Sequence, residues 1–124
     1  EDEEPIQDLI REYLNPLNME IYFASTGEAG VELYKKLLKN GKRPDIVIMD
    51  LRLPGIDGAE ATKRIMKIDK DARIYAFTAW FKTKLAQNAI KAGVKAVIGR
   101  YIGFDGFRDI VKNIFAGKVL PKNI

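Results

Sequence analysis

The sequence predicts an α/β domain: a parallel sheet, doubly wound, with helices on both faces. Three observations predict it. Helical and strand patterns alternate along the chain in the order α-β-α-β-α-β-α-β-α. Such alternation implies parallel strands joined by right-handed crossovers. A short apolar run, Ile46-Val47-Ile48-Met49, is bounded by turn formers and reads as a fully buried strand. That run ends on a carboxylate, Asp50, and open parallel sheets place their functional crevice outside the carboxyl ends of the strands.

Each element has its own signal. Over residues 5–17, Ile6, Leu9, Ile10, Tyr13, Leu14 and Leu17 fall on one helical face, with Pro5 suited to the first turn. Asn15-Pro16 ends or kinks that helix. Residues 19–24, MEIYFA, read as a strand. Ser25-Thr26-Gly27-Glu28 matches a capping box, and a helix follows to about Lys39, closed by Asn40-Gly41. After the strand that ends at Asp50 comes the loop Leu51-Arg52-Leu53-Pro54-Gly55-Ile56. Asp57 then caps a helix to about Ile68, with Glu60 at the capping-box position. Asp57 and Gly58 read as a turn and a cap, structural in role. Residues 73–78, RIYAFT, form the next strand, 82–92 a helix stopped by Gly93, and 94–98 the last strand. Asp105 is expected to cap the final helix, in which Phe107, Ile110, Val111, Ile114 and Phe115 repeat at helical spacing. One domain is expected over residues 1–116, with 117–124 a linker stub.

Composition narrows the chemistry. The chain of 124 residues has no Cys and no His. Thiolate nucleophiles, imidazole bases and the usual zinc sites are therefore excluded within it. Its one serine, Ser25, lies in no G-x-S-x-G. Carboxylates, hydroxyls and Lys or Arg remain, and a carboxylate site without imidazole favours a hard cation such as Mg2+. The net charge is +4. The positive residues are spread out, with a modest gathering at Lys35, Lys36, Lys39, Lys42 and Arg43. This favours a solvated basic surface over direct nucleic-acid binding by this chain. No stretch has the roughly 20 apolar residues of a membrane helix, and no signal peptide opens the sequence. A cytoplasmic location is the expectation.

Residues 46–58, IVIMDLRLPGIDG, resemble the third strand and following loop of response-regulator receiver domains. Glu1-Asp2 resembles the acidic pair that closes the first strand of that family. Thr78-Ala79 resembles the Thr/Ser-Ala at the end of its fourth strand, and Lys91-Ala92-Gly93 the Lys-Ala-Gly that enters its fifth. The resemblance runs to about Ala116. It implies a flavodoxin-like strand order 2-1-3-4-5. It also implies Asp50 as phosphoacceptor, in a Mg2+-dependent reaction with a histidine kinase or phosphotransfer protein. Asp2, Asp50 and the backbone carbonyl of Arg52 would bind the metal, with Glu1 acting through water. Thr78 and Arg100 would hold phosphoryl oxygens. The domain would be regulatory, not an enzyme, although it could catalyse its own phosphorylation and dephosphorylation. It would signal to an output domain, or through a homodimer, on the face made by the family's fourth helix, fifth strand and fifth helix.

Three departures stand out. The family's Lys-Pro is Arg100-Tyr101 here, a planar fork in place of a point charge. The aromatic that pairs with the switch threonine falls at Val97, leaving Tyr101 as a substitute. The largest departure is the first strand of the family, central in its sheet, for which no residues precede Glu1-Asp2. Three explanations are open: residues ahead of Glu1 in a longer protein, a permuted strand from 118–124, or a strand from a partner chain. A degenerate receiver that binds protein without phosphate is the rival function. An aspartate-nucleophile phosphohydrolase is opposed by Arg52, which stands where a second Asp would be needed. An FMN binder is opposed by the lack of a Ser/Thr-rich phosphate loop.

Overall fold

The computed structural model describes residues 10–12, 14–17, 19–52, 55–79 and 83–121. Glu1, Asp2, Trp80, Phe81 and Lys82 lie outside the described residues, as do 122–124. Among the described residues, three strands form one parallel sheet in the order β1-β2-β3: β1 Val47–Met49, β2 Ile74–Thr78 and β3 Ala96–Gly99. Four helices of nine or more residues accompany it: α1 Gly27–Lys39, α2 Gly58–Ile68, α3 Lys84–Ala92 and α4 Gly103–Phe115. Residues 10–12 and 14 are also helical and run into a 3-10 turn at Asn15–Leu17, where Asn15-Pro16 predicts an end.

Alternation along the strands builds two cores. Ile74 and Ala76 face α1, α2 and α3 together with Val97, whereas Tyr75 and Phe77 face α4 and Leu14 together with Ile98. Side chains of period two therefore supply both faces of a doubly wound sheet. All five residues of β2 are buried, as befits the middle strand.

Capping largely follows the sequence. Asp57 accepts from the Glu60 N–H at 2.9 Å, and Gly93 closes α3 at φ 124°. At α1 the cap moves by one residue: Thr26, not Ser25, accepts from the Ala29 N–H at 3.0 Å. Glu28 is thereby released from the capping box for another contact. The last helix begins at Gly103, so Asp105 lies within its first turn and pairs with Arg108 at 3.4 Å instead of capping. There it still favours the positive helix end. The 3-10 turn Arg100–Ile102 leads directly into α4 and displaces the start.

Residues 19–24 depart from expectation. They join no strand ladder. Among the described residues nothing pairs with the free edge of β1, and a cavity of about 840 Å³ lies between β1 and 19–24. Met19, Ile21, Phe23, Ile46, Ile48 and Val111 are among its lining residues. A strand needs a ladder partner, and the gap separates 19–24 from β1. The same gap explains why Val47 and Ile48 are only half-buried, against the fully buried strand their run of apolar residues predicts. Residues 118–121 do not fill it: they carry no regular structure, and Val119 is 96% exposed.

One polar cluster ties the helices together away from the strand ends. The Tyr34 hydroxyl on α1 donates to Asp69 Oδ2 at 2.6 Å. Arg43 donates to the same carboxylate through Nε at 2.8 Å and Nη2 at 3.0 Å. The Tyr34 hydrogen bond, foremost, holds the Asp69 carboxyl below its ordinary pKa. Burial, then the bond to Asp69, pushes Tyr34 up to about 12. A folded-state pKa above the unfolded value of about 10 gives stability that is complete below pH 10. It is lost as pH rises through the folded value near 12. Tyr34→Phe is expected to cost about 1–2 kcal/mol at neutral pH. It should also flatten the alkaline fall, as read by urea unfolding across pH 8 to 12.

Candidate functional site

The carboxyl ends of the three parallel strands converge on one place. Asp50 follows Met49 at the end of β1, Thr78 is the last residue of β2, and Arg100 follows Gly99 at the end of β3. Parallel pairing sets this alignment, with Met49 opposite Ala76 and Thr78 opposite Gly99. The apolar strands fix the positions of the polar residues that end them.

Asp50 is held at both carboxylate oxygens. Oδ1 accepts the Arg52 N–H at 3.1 Å, and Oδ2 accepts from Arg100 Nη2 at 3.1 Å. The side chains are 16% and 27% exposed, so the pair is partly shielded yet reachable. Arg100 is itself positioned from beneath. Its Nε donates to the Phe77 carbonyl at 3.4 Å, and its guanidinium lies 5.1 Å from the centre of the Phe77 ring. Thr78 is completely buried. The Arg100–Tyr101 peptide is trans.

The loop after β1 is shaped by two glycines and one glutamate. A Cβ on Gly58 would lie 2.5 Å from the Asp50 carbonyl oxygen and 2.8 Å from Leu51 Cα. Only glycine lets α2 begin this close to Asp50. The Gly58 N–H donates to the Leu51 carbonyl at 3.1 Å, and Leu51 is fully buried. Gly55 has φ +80° and sits against the Glu28 carboxylate. Glu28 Oε1 accepts the Ile56 N–H at 3.1 Å. Hydrogen bonds from its own N–H and then from Ile56 lower its pKa.

The structure thus brings together Asp50, Thr78, Arg100 and the Arg52 backbone. Glu1 and Asp2 lie outside the described residues. Tyr101 is 72% exposed, whereas Thr78 and Val97 are fully buried. Sequence reasoning missed two contributors. Phe77 is hidden in a run of strand residues that all look like core. Glu28 is hidden by its fit to a capping box; its match to Gly55-Ile56 is a tertiary contact with no local signal.

As to metal, the ligand that Asp50 offers is a carboxylate oxygen, which suits a hard cation such as Mg2+. Among the described residues no cluster of three potential metal-binding side chains occurs.

Comparison with known proteins agrees with this geometry. The family described as response regulator receiver domain matches residues 1–112. Sporulation initiation phosphotransferase F of Bacillus subtilis is 29% identical over 112 residues, covering 90% of this chain and 86% of that protein. Chemotaxis protein CheY of Thermotoga maritima is 43% identical over 75 residues, covering 60% of this chain and 58% of that protein. The aligned part spans 42% of the response regulator GacA of Pseudomonas aeruginosa. Among solved structures, the CheX-CheY-BeF3-Mg+2 complex from Borrelia burgdorferi matches with a TM-score of 0.79 and 26% identity. That match covers 93% of this chain and 84% of the other. A putative response regulator from Chloroflexus aurantiacus matches with a TM-score of 0.76 and 27% identity, over 94% and 93% of the two chains. A carboxylate, a hydroxyl and a cation at three adjacent strand ends, in a chain matched by this family over nearly all its length, make the protein a response regulator receiver domain, the phosphoacceptor module of two-component signalling.

Proposed function

We propose that Asp50 is the phosphoacceptor of this receiver domain. The observation that carries the reading is the meeting of Asp50, Thr78 and Arg100 at neighbouring strand ends, with Arg100 on the Asp50 carboxylate at 3.1 Å. Phosphoryl transfer needs an oxygen nucleophile and positive charge on the equatorial oxygens, held in line. A carboxylate oxygen of Asp50 attacks phosphorus, and a P–O bond forms as the P–N bond of a phosphohistidine donor breaks. The bonding pair returns to the donor's imidazole nitrogen. Arg100 then shifts its contact to the phosphoryl oxygens, and the Thr78 hydroxyl donates to another. Glu1, Asp2, Asp50 and the Arg52 carbonyl would hold Mg2+, which neutralises phosphoryl charge when bound.

The donor is a histidine kinase or phosphotransfer protein acting in the cytoplasm. The domain catalyses its own phosphorylation and dephosphorylation and is otherwise regulatory. Output passes through the face of α3, β3 and α4 to an output domain beyond the linker 117–124, or to a second copy. No helix among the described residues is long and apolar enough to cross a membrane.

Incubation with a small phosphodonor and Mg2+, followed by intact-mass measurement, tests the reading. One phosphoryl adduct is expected, absent from Asp50→Ala. A folded protein that takes no adduct, or an adduct that survives Asp50→Ala, would sink the assignment.

A further inference from the structure

Arg100 rests on an aromatic pair that leads out of the site. Phe77, whose ring faces the guanidinium at 5.1 Å, stacks on Phe107 of α4 with ring centres 4.5 Å apart and planes at 28°. Phe107 is 1% exposed and packs with Val111 and Ile114 of the same helix. An unbroken line of contacts therefore runs from the Asp50 carboxylate through Arg100 and Phe77 to α4.

We propose that Phe77 is the positioning residue for Arg100, and that the Asp50–Arg100–Phe77–Phe107 line reports the state of Asp50 to α4. The proposal rests on Asp50 being the phosphoacceptor. Three physical points support it. First, a planar guanidinium can face a ring, donate Nε to the Phe77 carbonyl and reach Asp50 with Nη2 at the same time. A point-charge ammonium has no such fork. Second, a phosphoryl group on Asp50 adds negative charge beyond the carboxylate, which draws the guanidinium outward and weakens both of its holds on Phe77. Third, the position where the family's switch aromatic would fall is Val97, which is aliphatic and sealed in the opposite core. Stacked rings in a packed core are bistable in the sense needed, since a shift of one forces its neighbour to repack.

The test follows binding and response separately. Protein labelled with fluorophenylalanine is titrated with beryllofluoride and Mg2+, and the Phe107 signal, assigned through a Phe107→Leu variant, is followed by 19F NMR. The wild-type Phe107 signal is expected to move as beryllofluoride binds. Phe77→Leu should bind about three- to tenfold more weakly, the order of one cation–π contact. At saturation its Phe107 signal should stay nearly still. Phe77→Tyr, which keeps the ring, should restore both. Arg100→Lys leaves the core untouched; it should bind more weakly and, when saturated, move Phe107 less than half as far. A wild type that binds while Phe107 stays still overturns the relay and leaves the site standing. So does a full Phe107 response in saturated Arg100→Lys. A wild type that binds no beryllofluoride overturns the phosphoacceptor reading and the relay with it.

Discussion

Gly58→Val is expected to abolish uptake of a phosphoryl group by Asp50 and to destabilise the fold by about 3 kcal/mol or more. The position has helical backbone and lies in the first turn of α2, where by propensity alone valine would be no worse than glycine. The cost here is steric. Any Cβ meets the Asp50 carbonyl oxygen at 2.5 Å, Leu51 Cα at 2.8 Å and Leu51 Cδ2 at 3.0 Å. Two of these three are backbone, which cannot rotate aside. The strand end must retreat, or the start of α2 must lift. Either movement carries the Asp50 carboxylate off Arg100 and off the Arg52 N–H, each now at 3.1 Å. A misplacement of about 1 Å at a reacting group costs on the order of a hundredfold in rate. Phosphodonor labelling and a urea melt check the two effects independently. Ala at the same position meets the same contacts and should show a smaller version of both. A Gly58→Ala variant with unaltered labelling and stability would mean that the approach of α2 to Asp50 is looser than these distances.

An apolar strand of about five residues, joined to the chain so that it seats in the gap beside β1, is expected to raise stability by about 3 kcal/mol or more, the order of filling one Leu→Ala cavity. The melting temperature should rise by roughly 10 °C. The gap between β1 and 19–24 is the reason. Its volume of about 840 Å³ is lined by apolar side chains of β1, of 19–24 and of α4. A parallel strand placed there would meet the backbone of 47–49 on one side and of 19–24 on the other. It would form ladders with both segments and cover Val47 and Ile48. The control is the same extension with proline at its centre, which cannot complete the ladder and should gain little. Equal melting temperatures for the two would show that 19–24 closes onto β1 in solution.

Most of the architecture is legible in the amino-acid order alone, because its signals are local. Helical periodicity, the Asp57 cap and the Gly93 stop depend on residues within a turn or two, and they stand where the pattern puts them. The strand ends carrying Asp50 and Thr78 were legible too, since each closes an apolar run, whereas Arg100 was legible only through the resemblance to receiver domains. Tertiary structure decided the rest. Residues 19–24 have a strand-like composition, yet a strand exists only with a partner, and partnership is a property of the whole sheet. Glu28 satisfies a capping-box pattern and instead binds Ile56, twenty-eight positions away, because Thr26 had already taken the cap. Phe77 looks like any other core aromatic of a strand. Its role beneath Arg100 comes from the register that sets Phe77 opposite Ile98, two residues short of Arg100, and from α4 packing Phe107 against its ring. Local free energies write the elements into the chain, whereas contacts between distant segments exist only once the sheet and its helices have closed around them.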